Sequence, residues 1–142
     1  MIFTTEKPQV IFYEKTGCAG NQRQKKVLTS HSISFDVCSL LDTKWDEKSL
    51  GLFFDNLSNI QMVNESAPKI KNNQIDIDTL TKEELITLMC QDPILIKRPL
   101  LEIGEEKICG FDIEKINQIL DSNIAPNIKI PTCLSDDKCK TA

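Results

Sequence analysis

The chain has 142 residues, 40% of them hydrophobic and 27% charged, with a formal net charge of −4 and a pI near 5.0. That length suits one domain with a substantial core, and the acidic balance argues against a nucleic-acid or anionic-membrane surface. No window approaches the roughly 20 apolar residues of a membrane span, and the opening Met1 to Pro8 lacks the apolar stretch of a signal peptide, so a cytoplasmic location is expected.

Val10 to Tyr13 is a continuous apolar, β-prone run, the pattern of a strand buried on both faces. Glu14 to Gly17 reads as a loop, and a helix is expected from Cys18 to Ser30 with Val27 and Leu28 inward. Ile33, Phe35 and Val37 alternate with Ser34 and Asp36, as in a half-buried strand. Such a strand–helix–strand crossover sets its two strands parallel. Thr43 to Asp46 reads as a capping box ahead of Leu50, Phe53, Phe54 and Leu57 at helical spacing. Asn59 to Asp78 is polar and irregular. A second capping box, Thr81 to Glu84, opens a helix with the stripe Leu85, Leu88 and Met89, which Asp92-Pro93 ends. Leu100, Leu101 and Ile103, a turn at Gly104-Glu105, and Lys107 to Cys109 read as a hairpin. Asp112 can cap a last helix carrying Ile113, Ile116 and Leu120.

The order β-α-β, helices, β-β-α predicts an α/β fold, one mixed four-stranded sheet flanked by helices. The helical middle, about 43–92, is an insertion within a single domain of residues 1–122. Residues 123–142 read as a mobile tail.

Six cysteines stand at 18, 38, 90, 109, 133 and 139. None forms a C-x-x-C pair, and the chain is neither short nor secreted in pattern, so neither a zinc site nor a disulfide scaffold is expected and no metal is assigned. Cys38, Cys90 and Cys109 fall within apolar patterns and read as small core hydrophobes. Cys18 differs. It sits where the first strand gives way to a helix, among the loop-type residues Gly17, Gly20 and Asn21. There the backbone N–H groups of the first turn and the helix dipole favour thiolate over thiol, and thiols so placed titrate at roughly 3.5–7.5. Asn21 is either a donor to that sulfur or a capping residue. Cys133 and Cys139 are either thiols that reach Cys18 from the tail or incidental.

Arginine is scarce: against 15 lysines stand only Arg23 and Arg98. Its planar fork holds oxyanions in a way lysine cannot. Arg23, five residues past Cys18, is either an anion clamp or a surface residue; Arg98, between apolar residues and Pro99, reads as the clamp. His31, at the far end of the first helix, reads as a surface residue.

Three segments carry a resemblance to a known family: Tyr13…Gly17-Cys18 before a helix, Gln91 to Leu100, and Ile103 to Phe111. Together they resemble the ArsC-type arsenate reductase and Spx superfamily. Within it, the Phe-Tyr-Glu-Lys-x-Gly-Cys opening and the Arg-Pro-Leu and Gly-Phe-Asp segments are most similar to nitrogenase-associated ArsC-related proteins. The resemblance covers roughly Val10 to Leu120. It implies a thioredoxin-like fold with a helical insertion, Cys18 as nucleophile, Arg98 as the oxyanion-binding arginine and a cis bond before Pro99. It implies no bound cofactor, glutathione as co-substrate and glutaredoxin as the partner that restores the thiol. Asn21, Arg23, Lys107 and Pro99 complete the expected anion- or glutathione-binding set. The chain also departs from the reductases. Lys107 stands where they have an arginine in the final hairpin, Asn64 to Pro68 replaces the segment that carries another, Arg23 is one position late, and Asn21 replaces the second cysteine of the Spx switch. Two functions therefore stand open: a monothiol reductase, or a non-catalytic redox-responsive accessory of nitrogenase metabolism.

Overall fold

The computed structural model describes residues 8–125. β1 (Val10–Glu14) runs parallel to β2 (Asp36–Ser39) on one side and antiparallel to β3 (Leu100–Ile103) on the other. β4 (Glu106–Cys109) closes the hairpin with β3, giving a mixed four-stranded sheet in the order β2-β1-β3-β4.

The apolar run of β1 has its expected consequence: both faces of the sheet are covered. Successive side chains point to opposite faces. Val10, Phe12, Leu101, Ile103 and Ile108 pack on one face with Leu28 of α1 (Ala19–Ser30) and with Ile116 and Leu120 of α6 (Ile113–Leu120). Leu100, with Tyr13 and Cys109 at its margin, packs on the other face against the segment between β2 and β3. That segment holds α2 (Glu47–Gly51), α3 (Asn59–Met62), α4 (Pro68–Lys71) and α5 (Lys82–Gln91), with single 3₁₀ turns at Leu52–Phe54, Ile77–Thr79 and Pro93–Leu95. Of the residues at helical spacing, Leu50, Phe53, Phe54, Leu85 and Met89 are buried there, while Leu57 and Leu88 are partly buried against the same cluster. Tyr13, Trp45 and Phe53 form an aromatic cluster with ring centroids 5.1 to 6.0 Å apart.

Three local readings need correction. β2 begins at Asp36, and Val37 is 45% exposed, because β2 is an edge strand paired only with β1. Ile33 is still buried, but it packs from the loop before the strand. The first capping box belongs to Asp46, whose side chain accepts from Ser49 N–H at 2.7 Å, while Thr43 Oγ1 donates to the Ser39 carbonyl at 2.7 Å. The polar stretch 59–78 contains two helices of one turn, too short to leave a periodic trace.

The Thr81–Glu84 box, the hairpin turn and the Asp112 cap form where expected. Past α6, Ile124 is buried, and its N–H and C=O are both held by the Asn117 side chain, so packing extends two residues beyond the expected boundary. The rest of the expected tail, 126–142, lies outside the described residues. Among the described residues, no helix is long and apolar enough to cross a membrane.

Candidate functional site

The site begins with a turn. Cys18 N–H donates to the Lys15 carbonyl at 3.0 Å, and Gly17 between them has φ +86°. This matches a type II turn, whose third position needs the left-handed backbone that glycine adopts without strain. Cys18 follows in extended geometry as the N-cap of α1, and Gln22 N–H donates to its carbonyl at 3.1 Å. The Cys18 side chain makes no capping hydrogen bond to the first turn of α1. The turn is tied to the helix from within: Asn21 Oδ1 accepts Lys15 N–H at 3.0 Å, and Asn21 Nδ2 donates to Gln24 Oε1 at 2.9 Å. Cys18, Lys15, Asn21 and Gln24 are all buried.

Beside this turn lies a cavity of about 240 Å³. One wall is Cys18, Gly20, Asn21 and Gln24; facing it are Val63 to Ser66 of the insertion and the Lys97–Arg98 pair. The two far walls are joined by backbone pairing, in which Asn64 N–H donates to the Leu95 carbonyl at 2.8 Å and Lys97 N–H to the Met62 carbonyl at 2.9 Å. The Asn64 amide is turned to the same purpose, donating to the Ile94 carbonyl at 3.1 Å and accepting from Ser66 N–H at 3.1 Å. The Arg98–Pro99 peptide is cis, as the resemblance implied. The cavity therefore sets two cations, Lys97 and Arg98, and one carboxylate, Glu65, around a thiol position at a helix N-terminus. Such a terminus suits an anion. The volume lies below the usual range for drug-sized ligands and fits a small oxyanion or the tip of a peptide thiol.

The structure brings together Cys18, Asn21 and Arg98 of the expected set. Pro99 is buried next to Arg98, immediately before β3. Two expected members lie elsewhere. Arg23 is exposed on α1 and does not line the cavity. Lys107 lies across the hairpin from Glu102 and ion-pairs with it at 3.2 Å. Tyr13 donates to the same carboxylate at 3.4 Å; burial, then the Glu102 charge, pushes its hydroxyl up to about 12. Gln24, Glu65, Ser66 and Lys97 line the cavity without having been singled out from the sequence.

Cys18 is disulfide-bonded. Cys38, Cys90 and Cys109 carry free thiols, are partly buried and do not line the cavity. Burial of its sulfur pushes the Cys109 thiol up to about 12, against the opposing charges of Lys97 and Lys115. Burial, with Glu47 and Asp46 nearby, also raises Cys90. Among the described residues, no group of three His, Cys, Asp or Glu side chains is placed to hold a metal.

A cysteine at the N-cap of the first helix, next to the residue before a cis-proline, on a sheet of order β2-β1-β3-β4, defines a thioredoxin-like thiol-redox protein. The chain belongs to the ArsC family, whose model matches residues 14–119. It is 33% identical over 108 residues to a 15.7 kDa protein in the draG 3′ region of Rhodospirillum rubrum, covering 76% of each chain. A crystal structure of a putative ArsC family related protein from Bacteroides fragilis matches with TM-score 0.68 at 24% identity, over 78% of this chain and 96% of that one. A possible arsenate reductase from Streptococcus mutans matches with TM-score 0.66 at 21% identity, over 78% and 98%. These two share the fold.

Proposed function

We propose that the protein is a monothiol oxidoreductase of arsenate-reductase type. The observation that carries this reading is the shared cavity of Cys18 and Arg98 at the start of α1. In the reduced protein, the Cys18 thiolate attacks the central atom of a bound oxyanion, and the displaced oxygen leaves as water. Arg98 holds two oxygens through its fork, Lys97 adds charge, and the first-turn N–H groups of α1 face the developing negative charge. A second thiol then attacks the Cys18 sulfur, and the bonding pair leaves on the former oxyanion centre, reducing it by two electrons. The glutathione–glutaredoxin couple is the electron source, with glutathione as co-substrate and glutaredoxin as partner. The test is glutathione- and glutaredoxin-dependent arsenate reduction by the purified protein. Turnover that persists in Cys18→Ser would overturn the reading.

A second reading has its own support. The Asn64 segment and Lys107 stand in for arginines, and both side chains are committed within the fold. A site with one arginine grips arsenate weakly. Together with the draG-region relative, this favours a redox-responsive accessory of nitrogenase metabolism. Affinity capture from nitrogen-fixing cells tests it; no captured nitrogenase-related protein alongside brisk arsenate turnover would remove it.

A further inference from the structure

Cys18, Asn21 and Gln24 stand three residues apart, so they share one face at the start of α1, and all three line the cavity. Gln22 and Arg23, between the two amides, are exposed. Gln24 itself is only 7% exposed. A carboxamide buried that deeply is costly unless its polar atoms are engaged. Its oxygen is: Asn21 Nδ2 donates to Gln24 Oε1 at 2.9 Å.

The sense of that bond is set by the backbone. Lys15 N–H can only donate, so the Asn21 atom 3.0 Å from it is the acceptor, Oδ1. Asn21 then turns its donor, Nδ2, to Gln24, and Gln24 answers with its own acceptor, Oε1. One backbone N–H thereby orients both amides. The Nε2 end of Gln24, with its N–H donors, is left on the side away from Asn21. Among the described residues no acceptor is paired with Nε2, and that atom is not sealed from open space. The open space that Gln24 borders is the cavity.

We propose that Gln24 is a substrate-binding residue, whose Nε2 donates to one oxygen of a small tetrahedral oxyanion held in the cavity. This rests on the anion site of the proposed function and deepens it. Lys97 and Arg98 bring charge from the opposite wall. The amide adds direction, because it rewards only an acceptor placed along its N–H. The site thus favours a ligand with a bare oxygen facing α1 over one that presents an ammonium or amide N–H there.

The test is protection of Cys18 from iodoacetamide by arsenate and by sulfate in the full, reduced chain, read by mass mapping. Gln24→Met keeps the side-chain length and removes the donor without adding charge. It is expected to need about 10- to 100-fold more of either anion for half-protection, the loss of one hydrogen bond to a charged group. Gln24→Glu keeps an oxygen for Asn21, but an ionised carboxylate offers the cavity no donor. Against sulfate, whose charge is constant over the range, its deficit relative to wild type is expected to be largest near about pH 8. The deficit shrinks toward about pH 5, where the introduced carboxyl takes up a proton and becomes a donor. Lys97, Arg98 and Glu65 line the cavity in both proteins, so the ratio to wild type isolates position 24. This profile decides the matter even where Gln24→Met folds poorly. Wild-type half-protection in Gln24→Met, a Gln24→Glu ratio flat with pH, or wild type unprotected by either anion would each overturn the proposal. Arsenate turnover reads the underlying function separately. Protection that depends on Gln24, without arsenate reduction, removes the reductase and leaves the amide donor. Arsenate reduction with half-protection unchanged in Gln24→Met removes the donor and leaves the reductase.

Discussion

Asn21 holds the backbone of Lys15. Its Oδ1 accepts the Lys15 N–H at 3.0 Å, while its Nδ2 donates to Gln24 Oε1 at 2.9 Å. One buried amide thus fastens the turn that ends at Cys18 to the first turn of α1. Removing it leaves a buried N–H and a buried amide oxygen without partners, which costs about 1–3 kcal/mol. Asn21→Ala is therefore expected to lose stability on that scale in urea denaturation, with a lower rate of Cys18 alkylation in the reduced protein. Stability unchanged from wild type would mean that the turn holds its shape without the clamp.

The parts of the fold written locally could be read from residue order. The apolar run of β1, the Thr81–Glu84 box, the turn at Gly104 and the Asp112 cap each draw on neighbours within a few residues. The edge strand begins three residues later than the alternation predicts, because Ile33 and Phe35 pack from the approach to the strand and not from the ladder itself. The site divides the same way. Cys18 stands out among loop-type residues, and Arg98 through its motif. The opposite wall does not, because the pairing of Val63 with Ile96 joins positions more than thirty residues apart and leaves no short-range signature. The resemblance implies a place for Lys107 in the site, yet the strand register sets it opposite Glu102.

The free cysteines give an internal standard for reactivity. Burial pushes the Cys109 thiol up to about 12 and raises Cys90 as well. Neither ionises appreciably at pH 7, whereas Cys18 sits at a helix N-terminus that favours its thiolate. In reduced protein at pH 7, iodoacetamide is expected to modify Cys18 at least tenfold faster than Cys109, read by mass mapping over time. Equal rates would show that the helix start does not activate the sulfur.

Tyr13 sets an alkaline limit on stability. Its hydroxyl titrates near 12 in the folded protein, raised by burial and by Glu102, against about 10 when unfolded. Below pH 10 both states keep the proton and the contribution is complete. Between pH 10 and 12 the unfolded chain gives up the proton first, so stability falls as pH rises. Tyr13→Phe removes that component of the slope. Urea titrations from pH 9 to 11 check it: the wild-type decline is expected to be steeper than that of Tyr13→Phe, and parallel curves would assign the decline to other groups.

Arg98 and Lys107 separate a cation that lines the cavity from one that braces the sheet. Arg98 lines the cavity beside Cys18; Lys107 ion-pairs with Glu102 at 3.2 Å and does not line it. A hydrogen bond to a charged group is worth about 1.5–3 kcal/mol, and 1.36 kcal/mol is tenfold in rate. Arg98→Ala is therefore expected to lower kcat/KM for arsenate by about 10- to 100-fold, with melting temperature as the control for folding. Arg98→Lys should recover only part of the loss, since charge returns without the fork. Lys107→Ala removes a partly exposed pair worth about 0.2–1 kcal/mol of stability and should leave kcat/KM within about twofold. A loss at Lys107 equal to that at Arg98 would move the anion site toward the hairpin and away from the cavity at the start of α1.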